Sequence, residues 1–295
     1  MAIPRVSLSP SRPIKSTSGH AVTVPIPGFL RLAFRAASAI SPKLGAEFGR
    51  QIFFTPPRPR YSPTQREILS RAERHDFTSE GHKVAAYSWG DGPPVLLVHG
   101  WGGHAGHLAE FVAPIVAAGH RAVAIDLPAH GASGGRLSSI VHFGTAIIVA
   151  AHRFGPLHGV VAHSLGSAGL IRAILGGLAP GRVVLIAAPA QFHDYWGLFR
   201  RSLGVSDAVW EHMLASSERR LGVPFTEIHP AVGAPKMTAP ALILHGLADP
   251  VSPIAEGREL ARLWPGARLM ELEAGHLSIL KDERAIRAAT LFLGS

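Results

Sequence analysis

There is no cysteine among the 295 residues. That absence excludes disulfides, cysteine-ligated zinc, iron–sulfur clusters and a thiol nucleophile together. Aromatic residues are few, at 7%, so any dense run of them marks a place to examine. No stretch reads as a membrane span. The most tempting run without charge, residues 154–171, is close to the minimum for a bilayer. Pro156, His158, His163, Ser164 and several glycines interrupt it, so it reads as strand, turn and helix. No secretory signal is expected, because the most apolar part of the N-terminal region, residues 21–30, is broken by Pro25 and Pro27. The expected location is cytoplasmic. Nothing matches a nucleic-acid-binding motif, and no nucleic-acid partner is expected.

What is present is a globular composition, 47% hydrophobic with a mean hydropathy of +0.21. The net charge of +9 is unevenly placed. Residues 1–60 hold nine Lys/Arg against the single acid Glu47, whereas residues 61–295 are nearly neutral. This basic leader is rich in Pro and Ser over residues 1–27, and an amphipathic, helical pattern split at Pro42 covers residues 28–54. Two uses compete. The leader could touch an anionic membrane surface as a weak peripheral contact. The favoured reading packs its helices on the body with the arginines in water. In either case it is expected to modulate stability or surface association, and to stay apart from the chemistry.

Residues 55–59, Thr-Pro-Pro-Arg-Pro, exclude helix and read as a linker. Ser62-Pro63 starts a helix expected over 64–74. Short apolar strands then alternate with amphipathic helices. Strands are expected at 83–89, 95–98, 121–125, 159–162, 183–188, 241–244 and 269–272. Helices are expected at 105–118, 137–154, 165–175, 254–263 and 283–293. This alternation predicts an α/β fold with a mostly parallel central sheet and helices on both faces. Residues 191–240 break the rhythm with three short helices, at 191–199, 205–214 and 217–221. They predict a small helical cap inserted above the strand C-termini, where ligands of such sheets bind. The expected organisation is therefore a leader (1–60), a core (61–190 and 241–295) and a cap (191–240).

The decisive segment is Val160-Val161-Ala162-His163-Ser164-Leu165-Gly166-Ser167. A strand runs into a small-x-Ser-x-Gly turn and a helix follows, which lifts the serine hydroxyl out of the sheet. Ala162 stands where the usual pattern has glycine, the mildest possible departure. A serine nucleophile needs a base and two backbone N–H groups aimed at the developing oxyanion. The strand at 95–98 leads into His99-Gly100-Trp101-Gly102-Gly103, a glycine-rich loop able to turn main-chain amides toward one point. The N–H groups of Leu165 and Trp101 are the expected oxyanion donors.

Five motifs come in order: the His99–Gly103 loop; Asp126-Leu127-Pro128-Ala129-His130-Gly131-Ala132-Ser133-Gly134; the serine turn; His245-Gly246-Leu247-Ala248-Asp249-Pro250-Val251; and Gly275-His276. Together, over residues 76–295, they resemble the α/β-hydrolase superfamily, in particular bacterial serine hydrolases with a short helical cap. The resemblance implies a chain order of nucleophile, acid, histidine. It makes Ser164 the nucleophile, His276 the base and Asp249 the acid that orients it. It also implies that His99 braces the oxyanion loop and that Asp126 and His130 shape the loop beside the site. His99, His104 and His107 form no recognised metal motif, so neither a metal nor another cofactor is expected.

The cap contains Phe192, Tyr195, Trp196, Phe199 and Trp210, a dense aromatic run for this composition. Trp101, Tyr195, Trp196 and Phe199 are expected to touch substrate, although the same rings could simply glue the cap to the body. The expected activity is cleavage of a carboxylic ester or related acyl bond of a small molecule through an acyl-enzyme. The same triad would also serve an acyltransferase or a carbon–carbon bond hydrolase. A non-catalytic binding module on this scaffold would not require all three triad residues. Sequence leaves substrate size and oligomeric state open.

Overall fold

A computed structural model describes residues 26–294. The expectation of a loose segment over residues 1–27 lies, for residues 1–25, outside the described residues. Two helices come first, α1 (Gly28–Ile40) and α2 (Pro42–Phe54). Ser41 separates them: its side chain accepts the Lys43 N–H, and Pro42 occupies the first helical position. Residues 55–62 have no regular structure. A capping box between Ser62 and Gln65 then starts α3 (Pro63–Ser70).

The helix expected over 64–74 is corrected here. It stops at Ser70, and Glu73–Ser79 forms strand β1, paired antiparallel with β2 (His82–Trp89). β1 is an edge strand and mostly exposed, so its residues carry charge and give no apolar run to read. β3 (Pro94–Val98) follows. The single helix expected over 105–118 is also corrected. A 3₁₀ segment, Ala105–Phe111, precedes α4 (Val112–Ala117). Pro114 lacks the N–H that a continuous α-helix needs, and it is tolerated only because it falls in the first turn of α4.

The remaining elements are β4 (Arg121–Asp126), α5 (Ile140–Phe154), β5 (Gly159–His163), α6 (Leu165–Leu175), β6 (Arg182–Ile186), α7 (His193–Leu203), α8 (Asp207–Leu221), α9 (Pro230–Gly233), β7 (Ala241–Gly246), α10 (Ile254–Leu263), β8 (Arg268–Leu272) and α11 (Glu283–Gly294). α8 is one continuous helix where two were expected. Ser216 and Ser217 at the expected break donate their hydroxyls back to the Met213 carbonyl, so the helix absorbs them.

The eight strands run in the order β1-β2-β4-β3-β5-β6-β7-β8. β4, β3, β5, β6, β7 and β8 are mutually parallel, while β1 and β2 are antiparallel additions. Successive strand residues feed opposite cores. Leu96 and Val98 join α5, α6 and α10 on one face, and Val95 and Leu97 join α4 and α11 on the other. The chain reverses its direction of travel between β3 and β5, so a crevice opens at their C-terminal ends. Ser164 and the His99–Gly103 loop lie there.

α7, α8 and α9 are inserted between β6 and β7. The helices α1 and α2 pack on α7 and α8. Phe34 and Ala46 are buried with Phe199, Leu203, Val209, Trp210 and Met213. Glu47 pairs with Arg50 of its own helix and Arg220 of α8. The Arg50 hydrogen bond, helped by Arg220, lowers the Glu47 carboxyl to about 2. The linker is tied down as well. Arg58 donates to the Ala129 and Gly135 carbonyls at 2.8 and 2.7 Å, and the Tyr61 hydroxyl donates to Asp126 at 2.6 Å. Among the described residues no helix is long and apolar enough to cross a membrane.

Candidate active site

Ser164 sits between β5 and α6 with φ 51° and ψ −126°. A non-glycine residue there costs on the order of 1–3 kcal/mol and persists only if its surroundings enforce it. Here they do. The Ser164 N–H donates to the Ile186 carbonyl at 2.8 Å, and the Ser164 carbonyl accepts the Ser167 N–H at 2.9 Å. The Ser167 hydroxyl donates back to Ala162 at 2.9 Å. Glycine is obligatory at 166, where a Cβ would overlap the His99 carbonyl oxygen. Ala162 is fully buried, so its methyl is accommodated where the usual pattern has glycine.

The structure brings the other two expected residues to this serine. His276, in the loop after β8, places Nε2 3.0 Å from Ser164 Oγ. Its Nδ1 is 2.8 Å from Asp249 Oδ2, at the end of β7. The second Asp249 oxygen accepts the N–H groups of Val251 and Ser252, each at 2.8 Å. Burial acts to raise the Asp249 carboxyl, but the His276 hydrogen bond and these two N–H groups outweigh it and hold the carboxyl below its ordinary range. An ionised Asp249 requires the proton on His276 Nδ1. Nε2 is then left as an acceptor for the Ser164 hydroxyl. Asp194 lies apart, in the first turn of α7.

His163, in the serine turn, is buried, and its Nε2 donates to the His276 carbonyl at 3.0 Å, with the two rings 4.8 Å apart. Burial, reinforced by the neighbouring His276, lowers its pKa to about 3, so it remains neutral and supports the loop from behind. Its place in the serine turn, beside Ser164, was the one available signal.

The glycine-rich loop lies against the serine: a Cβ on Gly100 would stand 2.9 Å from Ser164 Cβ. His99 fixes this loop. Its Nδ1–H donates to the Gly100 carbonyl at 2.7 Å, and its Nε2 accepts the Leu127 N–H at 3.0 Å. Complete burial drives its pKa well down and keeps it neutral for this dual role. The Gly103 N–H closes a turn onto the Gly100 carbonyl at 3.0 Å, with Gly102 at φ 65°. Asp126 accepts the Ala105 and Ala132 N–H groups at 2.7 and 2.8 Å, pinning the two neighbouring loops. His130 lies between the rings of His99 and Trp101, at 5.1 and 5.3 Å. Leu165 opens α6, so its N–H is one of the helix's unpaired N-terminal donors at the positive end of the dipole. Ser164, His276, Trp101 and Leu165 border one cleft.

Residues 95–289 match the Alpha/beta hydrolase family. This chain is an α/β hydrolase. It is 30% identical to a pimeloyl-[acyl-carrier protein] methyl ester esterase of Chromobacterium violaceum, over 66% of this chain and 91% of that protein. Among solved structures it resembles an esterase of Exiguobacterium antarcticum, with a TM-score of 0.60 and 16% identity, over 76% of this chain and all of that one. It also resembles an esterase of Pyrococcus furiosus, with a TM-score of 0.61 and 18% identity, over 81% and 95%. At these identities the structural likeness speaks to the fold.

The cleft of this α/β hydrolase has a volume of about 1200 Å³. Tyr195, Trp196 and Phe199 of α7 line it, and so does Phe192. Trp210 does not border it and instead joins the junction of α1, α2, α7 and α8. Phe199 both borders the cleft and packs with Trp210. The Tyr195 hydroxyl donates to the Val251 carbonyl at 2.7 Å and ties the cap to the Asp249 loop. Glu256 accepts the Ala190 and Gln191 N–H groups at 2.6 and 2.8 Å, fixing the chain where it leaves the core for the cap. The leader also reaches this cleft. Ile26, Leu30, Phe48 and Ile52 all line the cleft.

Proposed function

We propose that this α/β hydrolase cleaves a carboxylic ester through an acyl-enzyme on Ser164. The observation that carries this reading is the chain Ser164 Oγ–His276 Nε2–Asp249 Oδ2, with links of 3.0 and 2.8 Å, bordering an apolar cleft. The name of the Chromobacterium relative, a methyl ester esterase, points the same way. We take residues 191–240 as the cap over a catalytic body formed by 61–190 and 241–295.

In this mechanism Ser164 Oγ attacks the ester carbonyl carbon as His276 Nε2 takes its proton. The carbonyl oxygen becomes an oxyanion and receives hydrogen bonds from the Trp101 and Leu165 N–H groups. The C–O bond to the alcohol then breaks, and His276 gives its proton to the departing oxygen. Water enters, loses a proton to His276 Nε2 and attacks the acyl carbon. Collapse breaks the bond to Ser164, whose oxygen recovers the proton, and the acid leaves. Asp249 stays ionised throughout and steadies the imidazolium.

Rapid mixing with p-nitrophenyl acetate tests this route. Where deacylation is slower than acylation, a p-nitrophenolate burst equal to the enzyme concentration precedes the steady rate. Hydroxylamine should raise the steady rate and shrink the burst, because it intercepts the acyl-enzyme and speeds deacylation. A steady rate with no burst, insensitive to hydroxylamine, would count against a slowly hydrolysed acyl-enzyme.

A further inference from the structure

We infer that the α1–α2 hairpin is the far wall of the acyl-binding cleft, and that the substrate carries a medium- to long-chain, uncharged acyl group. This rests on the ester-hydrolase reading above. Ser164 and His276, Trp101 and Trp196, and Leu30 of α1 and Ile52 of α2 all border the one cleft. Its volume of about 1200 Å³ exceeds the roughly 300–1,000 Å³ of ordinary small-molecule sites. An acetyl group would leave most of it empty.

The hairpin presents two different apolar faces to its surroundings. Phe34 and Ala46 are fully packed against the cap. Leu30, Phe48 and Ile52 are only half-buried, and all three border the cleft. Phe48 and Ile52 are one turn apart and so share a side of α2. Apolar side chains left partly uncovered inside a cleft are what an acyl chain would cover. The wall is also fixed in place. The Phe53 ring meets Phe199 edge-on at 4.9 Å, and Arg220 bonds Glu47 at 2.8 Å. The Ser138 N–H donates to the Phe54 carbonyl at 2.8 Å, and the Arg58 and Tyr61 contacts hold the chain that follows. No acidic or basic side chain from α1 or α2 borders the cleft, which suits an uncharged tail against that wall; the charged side chain that does border the cleft is Arg136, ahead of α5.

The test uses the full chain and p-nitrophenyl esters from acetyl to hexadecanoyl. Burying each added methylene favours binding by about three- to fourfold. kcat/KM should climb by that factor per methylene well beyond butanoyl. Ile52→Trp and Leu30→Trp fill the far end, and each should lower the ratio of dodecanoyl to acetyl kcat/KM by at least about tenfold. Ile52→Ala should instead move the optimum to a longer chain. Thermal melts establish that each variant is folded.

A binding arm is independent of turnover. Ser164→Ala should bind dodecanoate far more tightly than butanoate by calorimetry, and adding Ile52→Trp should erase that preference. Loss of all ester turnover with this binding preference intact would overturn the hydrolase reading alone. Normal acetyl ester turnover with a flat length profile would overturn this inference alone. A slope that follows the length of the alcohol, with the acyl group held at acetyl, would likewise overturn it.

Discussion

Replacing Ser164 with alanine is expected to lower kcat for ester hydrolysis by on the order of 10⁴–10⁶-fold, with the melting temperature little changed. The substitution removes one oxygen and keeps the Cβ. It therefore takes away the atom that forms the acyl bond while leaving the N–H and carbonyl bonds that hold the turn at φ 51°. Alanine is no easier than serine in that conformation, so no large gain in stability is expected either. The half-buried hydroxyl makes one side-chain hydrogen bond, to His276, whose ring edge also opens on the cleft and can find water. Activity against p-nitrophenyl acetate, read beside a thermal melt, decides the matter. More than a few per cent of residual turnover in a folded protein would mean that Ser164 is not the nucleophile.

Asp249→Asn should cost about 10⁴-fold in kcat while preserving the shape of the site. The reason lies in the two N–H groups of Val251 and Ser252, which both point at Oδ1. They dictate how an asparagine amide must sit, with its oxygen toward them and its NH₂ toward His276. An NH₂ cannot accept the Nδ1 proton, so the imidazole must carry its proton on Nε2 and present a donor to Ser164 where an acceptor is needed. Near-normal turnover would assign the acid to another carboxyl, for instance Asp194. The same substitution carries a stability signature. Because the folded Asp249 carboxyl lies below its ordinary range, its contribution to stability is complete above that range and disappears as the pH falls through the lower folded value. The melting temperatures of wild type and Asp249→Asn should therefore differ at neutral pH and converge in acid.

The parts of this protein legible in sequence are those with a sharp local cause. Ser164, Asp249 and His276 each follow a short apolar strand, and the glycines around them mark turns. A parallel sheet buried on both faces leaves continuous apolar runs such as Val95–Val98, which are easy to read. β1 was hidden because an exposed edge strand carries charges and has no apolar face to display. α8 looked broken at Ser216 and Ser217 because those residues favour helix ends unless, as here, their hydroxyls bond back to the preceding turn. The part played by α1 and α2 in the cleft was beyond reach. An amphipathic pattern reports that one face is covered, but not whether protein, ligand or membrane covers it. Ser164 and Ile52 are also more than a hundred residues apart in the chain.

The central claim, that Ser164 carries the acyl group, is tested most directly by the mass of the protein after a rapid acid quench of its reaction with p-nitrophenyl butanoate. The account predicts one butanoyl group per molecule, carried by the peptide that contains Ser164 and absent from Ser164→Ala. A butanoyl group on another residue, or an equal adduct on the alanine variant, would contradict it.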